Sequence, residues 1–109
     1  MNIKRGEIYL AALDPVVGRE LSKTPPVVVV SNDQNNKFSR TVTILPLTSK
    51  KPQSVYPFEV FLSKGSANLP KDSKVKADQI RTLNQNRMIK YIGVVDQKNL
   101  DIRGHNTYF

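Results

Sequence analysis

The sequence predicts a mainly β domain, a small barrel or strongly bent sheet with little helix, and three observations carry that reading. PVVVVS (26–31) is an unbroken β-branched run of the kind found in a strand buried on both faces. KVKADQI (74–80) alternates Lys74, Lys76 and Asp78 with Val75, Ala77 and Gln79, the period-2 signature of a half-buried strand. The strand-like runs are short, five of them within the first 80 residues, and long polar loops rich in turn formers separate them.

In chain order, EIYLAAL (7–13) starts the first strand and DPVVGRELSKTP (14–25) follows as a long polar loop. Pro25 and Pro26 deliver the chain stiffly into the second strand, because proline fixes φ and has no N–H. NDQNNKFSR (32–40) is rich in turn residues and reads as a loop. TVTILPLT (41–48) is a third strand whose Pro46 suggests a bulge or an edge. After the loop SKKPQSVYP (49–57), FEVFL (58–62) is a fourth strand, and SKGSANLPKDS (63–73) is an exposed loop ahead of the fifth. Helix is scarce: NQNRMIKY (84–91) suits one or two turns, and DQKNLDI (96–102) begins with Asp96 as an N-cap. With no repeat, low-complexity tract or linker, residues 1–109 read as one domain.

Seventeen Lys and Arg against nine Asp and Glu give a net charge of +8, which favours a polyanionic partner, nucleic acid first and an acidic protein second. No apolar run approaches the roughly 20 residues that a bilayer requires. The start, MNIKRGEIYL, lacks the apolar stretch of a secretory signal, so the expected location is the cytoplasm. The absence of cysteine agrees and excludes disulfides and cysteine-ligated zinc. His105 is the single histidine, which excludes a paired-histidine ribonuclease site. No phosphate-binding glycine loop and no metal-ligand spacing is present, so an enzyme built on this chain works with no metal and no cofactor.

RNA cleavage fits those limits, because the substrate's own 2′-hydroxyl can attack the adjacent phosphorus. The protein then supplies a base, an acid for the leaving oxygen and donors for the pentavalent phosphorane. Thr48 closes a predicted strand beside the cationic Lys50 and Lys51; its bland reading is simple β-propensity. Asp78 lies two residues after Lys76 and three before Arg81. That spacing suits a surface ion pair, or alternatively a carboxylate gathered with cations at a phosphate-contacting groove.

Taken together, three separated blocks resemble the MazF/PemK family of toxin endoribonucleases, over about residues 3–95. KRGEIYLAALDPVVGRELSKT (4–24) looks like that family's opening strand and RNA-side loop, with Gly18, Glu20 and Lys23 in G-x-E-x-x-K spacing. PVVVVSNDQNNKFSRTVTILPLTS (26–49) looks like its second and third strands, ending at the catalytic threonine position, here Thr48. DQIRTLNQNRMIKYIGVVD (78–96) is similar to the late [DE]-Q-[IV]-R-[TS] block, with Gln79, Arg81, Thr82 and Arg87 matching in order.

The resemblance implies an SH3-like or CcdB-like barrel of five to seven short strands with one to three short helices, forming a homodimer. It implies sequence-specific, metal-independent cleavage of single-stranded messenger RNA, leaving a 2′,3′-cyclic phosphate and a 5′-hydroxyl. The partner it implies is an antitoxin whose acidic, flexible segment occupies the RNA groove. Catalysis then falls to Thr48, to the position of Pro25 and to Asp78. Substrate binding falls to Glu20, Lys23, Thr24, Ser49, Lys50, Lys76, Gln79, Arg81 and Arg87.

Two departures from the family pattern stand out. Directly before the P-V-V run the family has an arginine, credited with proton transfer and phosphate stabilisation, and here that position is Pro25. The substitution predicts a weakened or inactive copy, with residual chemistry resting on Asp78, Lys76 and Thr48. A non-catalytic member that binds RNA or antitoxin is the alternative, and the G-x-E-x-x-K loop with Thr48 speaks against a gyrase poison of the same fold. Secondly, LDIRGHNTYF has few apolar positions at helical spacing, so 97–109 is an atypical tail with a short helical stub near 97–102.

Overall fold

The structure is a computed structural model that describes residues 2–13 and 23–96. Seven strands form one sheet in which every pairing is antiparallel: β1 (Glu7–Ala11), β2 (Pro26–Val29), β3 (Thr41–Thr48), β4 (Val60–Leu62), β5 (Ser73–Val75), β6 (Arg81–Asn84) and β7 (Met88–Val94). The order across the sheet is β4-β5-β3-β2-β1-β7, with β6 also pairing β3. The architecture is mainly β, as predicted. No helix among the described residues is long and apolar enough to cross a membrane.

The valine run does what its composition predicts. Val27 and Val29 enter one core with Tyr9, Ala11, Val42, Ile44 and Met88, while Val28 and Val30 enter a second with Ile8, Leu45, Leu47, Leu62 and Val75. All four valines are at most 1% exposed. Full burial of a valine is worth about 1.5–3 kcal/mol, so this one strand ties together both faces of the sheet.

Strand β3 forks the sheet. One edge pairs β2 over Ile44–Pro46, and the other pairs β6 from Thr41 to Ile44 and then β5 at Leu47 and Thr48. Pro46 falls at the change of partner, where a missing N–H disrupts neither ladder, and its carbonyl accepts from the Lys76 N–H at 2.8 Å. The proline therefore marks a fork in an interior strand and not an outer edge.

Several predicted elements change. Residues 32–40, read as a loop, contain the helix α1 (Asp33–Phe38). The Asn32 side chain caps it by accepting from the Asn35 N–H, and Asp33 places a carboxylate in its first turn. Its other supports are tertiary: buried Asn36 donates to the Ser31 carbonyl, and Gln85 Nε2 donates to the carbonyls of Asn36 and Ser39. Residues 84–91, read as a helical turn or two, hold a 3-10 turn at Gln85–Arg87 and then enter β7. The open edge of β1 recruits this segment, burying Met88 opposite Ala11 and setting Tyr91 edge-on to Tyr9 at 5.6 Å. The predicted first and fourth strands shorten to Glu7–Ala11 and Val60–Leu62. The loop 63–73 holds a 3-10 turn at Ser66–Asn68 and buries Leu69. Asp96 lies in no regular element, and the predicted tail and its stub at 97–102 lie outside the described residues.

The Ser66–Asn68 turn packs on β7, where Asn68 Nδ2 donates to the Ile92 carbonyl at 3.0 Å. Gly93 permits this approach, because a Cβ there would lie 2.3 Å from the Ala67 carbonyl oxygen. Gly93→Ala is expected to destabilise the fold by about 3 kcal/mol in urea titration. Gly65→Ala, which meets open space but has φ +90, is expected to cost only about 1–2 kcal/mol.

Candidate functional site

Thr48 ends β3, 6% exposed, with its backbone opposite Lys74 of β5. Extending the β2–β3 register, in which Val27 faces Pro46, by two residues sets Pro25 opposite Thr48 on the other side. The chain at 23–25 also continues alongside β1: the Ala11 N–H donates to the Pro25 carbonyl at 3.2 Å, and the Leu13 N–H to the Lys23 carbonyl at 2.9 Å. Pro25 is therefore not a free hinge. It is buried beside Ala11, and continuing the β2–β3 register past its last pair would complete a row from Ala11 through Pro25 and Thr48 to Lys74.

The predicted site residues distribute around this row. Lys23 and Thr24 are exposed just before Pro25, and Ser49 and Lys50 are exposed just after Thr48. The Lys50 backbone N–H donates to Thr48 Oγ1 at 3.1 Å. Half-buried Arg87 reaches the far end of the row, where its carbonyl accepts from the Ala12 N–H at 2.9 Å. Half-buried Arg81 pairs with Ile44, four residues before Thr48, or about 13 Å along the strand. Glu20 and Gly18 lie outside the described residues, as does His105.

Residues 74–80 depart from the predicted strand. β5 ends at Val75 and a 3-10 turn covers Ala77–Gln79. Exposed Asp78 sits in that turn, where the Gln79 N–H donates to the Lys76 carbonyl. Gln79 Oε1 is buried without a hydrogen-bond partner among the described residues. The alternation that suggested a solvent-facing row of Lys74 and Lys76 fails, since the two are only 4% and 7% exposed. The cause is Glu59, fully buried ahead of β4. Its Oε2 accepts from Lys76 Nζ at 2.8 Å, and its Oε1 lies 3.3 Å from Lys74 Nζ. Lys76 thus pairs with Glu59, in place of the predicted surface pair with Asp78.

Sequence reasoning passed over Glu59 and Lys74. The available signal was an acid inside the apolar run FEVFL, which only a buried cation makes tolerable. Burial pushes the Glu59 carboxyl up, but hydrogen bonds from Lys76, the Tyr56 N–H and Lys74, with the charge of Lys76, outweigh it and hold the group below its usual 4.5. Lys74, one of the two ammonium groups on Glu59, lies opposite Thr48 and brings a buried cation to that strand end. Among the described residues no group of three or more His, Cys, Asp or Glu is placed to hold a metal ion.

The fold of this sheet is shared with solved toxin structures. MazF of Deinococcus radiodurans superposes with a TM-score of 0.76 at 25% identity, covering 95% of this chain and 92% of that one. A mycobacterial endoribonuclease in complex with its cognate antitoxin superposes at 0.72 and 22% identity, covering 97% and 89%. The endoribonuclease MazF of Staphylococcus saprophyticus is 37% identical over 98 residues, which cover 90% of this chain and 82% of that protein. Residues 4–102 match the family described as PemK-like, MazF-like toxin of type II toxin-antitoxin system. The chain belongs to that family.

Glu59→Gln is expected to lower stability at neutral pH by about 3–5 kcal/mol, because two buried ammonium groups lose their carboxylate. The folded carboxyl lies below its unfolded value. Its contribution is therefore complete above pH 4.5 and drains away as pH falls through the lower native value. Denaturant titrations of the two proteins should converge as the pH drops below 4.5.

Proposed function

We propose that this chain is the toxin of a type II toxin-antitoxin pair, acting in the cytoplasm as a homodimeric, metal-independent and sequence-specific endoribonuclease on single-stranded mRNA. The observation that carries the reading is Thr48 at the end of β3 with the buried cation Lys74 opposite it in β5. In the reaction the 2′-hydroxyl attacks the adjacent phosphorus and the P–O5′ bond breaks, giving a 2′,3′-cyclic phosphate and a 5′-hydroxyl. One proton leaves the 2′-hydroxyl, and solvent water delivers one to the leaving oxygen in the absence of a protein acid at position 25. Thr48 donates to the phosphorane, the buried Lys74 ammonium opposite it stabilises its charge, and exposed Asp78 is the acceptor for the 2′-hydroxyl proton. Lys23, Thr24, Ser49, Lys50, Gln79, Arg81 and Arg87, with Glu20, contact the strand. The acidic antitoxin competes for the same basic surface, in keeping with the +8 charge.

This copy turns over weakly or not at all, because buried Pro25 brings neither charge nor donor to the position facing Thr48. The same fact favours a second reading, in which the chain binds RNA and antitoxin without cutting. The measurement is single-turnover cleavage of a long RNA followed by sequencing of the ends. Pro25→Arg is expected to raise the rate by about 10²–10³-fold, with 2′,3′-cyclic phosphate termini, and adding Thr48→Ala should abolish the gain. An arginine variant that binds RNA and remains inert leaves the binding reading standing and ends the catalytic one.

A further inference from the structure

The loop after Thr48 exposes two aromatic rings side by side. Tyr56 and Phe58 are 58% and 49% exposed, yet their rings stack with centroids 5.5 Å apart and planes within 4°. The arrangement is built by the buried cluster beneath it. The Tyr56 N–H donates to Glu59 Oε1 at 3.1 Å, and the Glu59 N–H returns to the Tyr56 carbonyl at 2.8 Å, closing a turn around Pro57. Lys74 Nζ donates to the Ser54 carbonyl at 2.7 Å and lies 6.0 Å from the centre of the Tyr56 ring. Lys74 is also the residue opposite Thr48, so one buried ammonium ties the ring pair to the strand end.

We propose that Tyr56 and Phe58 are a stacking platform for an unpaired base of the RNA strand whose phosphate meets Thr48. The inference rests on the RNA-binding reading above and extends it to residues that reading does not use. Two features point to a nucleobase. The rings are flat, parallel and fixed in advance, which removes the ordering cost that a mobile side chain would impose on binding. The same loop carries exposed Lys50 and Lys51, so a strand whose base lies on the rings has cations at hand for its phosphates. A paired base shields its faces within the duplex, so the platform selects single strands.

The chain has no tryptophan, so Tyr56→Trp introduces a single fluorescent reporter at the platform. Titration with a random-sequence single-stranded RNA oligonucleotide should quench its emission, and an abasic ribose-phosphate chain of equal length should not. In parallel, the Tyr56→Ala/Phe58→Ala double variant should bind the RNA about 5- to 100-fold more weakly at fixed salt, with an unchanged slope against salt. Tyr56→Phe should bind as the parent does, and circular dichroism checks the fold of each variant. Unchanged RNA affinity in the double variant, with a parent that binds RNA, overturns the platform and leaves the ribonuclease reading intact. Unchanged affinity with an altered sedimentation coefficient assigns the rings to a protein partner instead. Equal weakening toward the abasic chain also overturns it, since the rings would then act only through loop shape. A parent that binds no RNA sinks both ideas.

Discussion

The site depends on one strand that serves three partners. β3 holds β2 along one edge while its other edge passes from β6 to β5 at Pro46. Proline suits that position, because it brings no N–H that the interrupted ladder would leave unpaired. Because the exchange occurs two residues before the end of β3, Thr48 is left opposite Lys74 of β5. Lys74 is not near Thr48 in sequence, and register sets it there.

The second constraint is electrostatic. A fully buried carboxylate with two nearly buried ammonium groups is a costly arrangement to desolvate, and it persists because each group is bonded to more than its ionic partner. Lys74 reaches the Ser54 carbonyl and the Tyr56 ring, and Glu59 accepts a backbone N–H from Tyr56. The cluster therefore does more than join β4 to β5. It shapes the loop that follows Thr48, brings the Lys74 cation to the strand end and holds two aromatic rings in the open. The geometry of the candidate site and the stability of this part of the fold rest on the same three side chains.

Family membership and the state of this copy are separate matters. The match over residues 4–102 and the 37% identity to a staphylococcal MazF establish the family. Pro25 is buried and its carbonyl accepts from the Ala11 N–H, so the chain ahead of β2 continues alongside β1.

Strand positions with strong local patterns were legible in the sequence. The valine run fills both cores, TVTILPLT forms β3 as predicted, and Thr48 closes it. The resemblance carried by three motif blocks was legible as well. Helix α1 and strand β7 were not, because the Gln85 amide that caps the former and the open edge of β1 that recruits the latter come from distant chain segments. The alternation of Lys74, Val75 and Lys76 was visible, but its meaning was inverted by Glu59, some fifteen residues upstream. By itself the sequence determined the strands with strong local patterns, β2 and β3 above all, and which residue types are available, since β-propensity, proline's missing N–H and net charge are properties of short stretches. Only the tertiary structure decided which side chains share a row and which charges are buried together, because register and desolvation arise between segments that the chain order keeps apart.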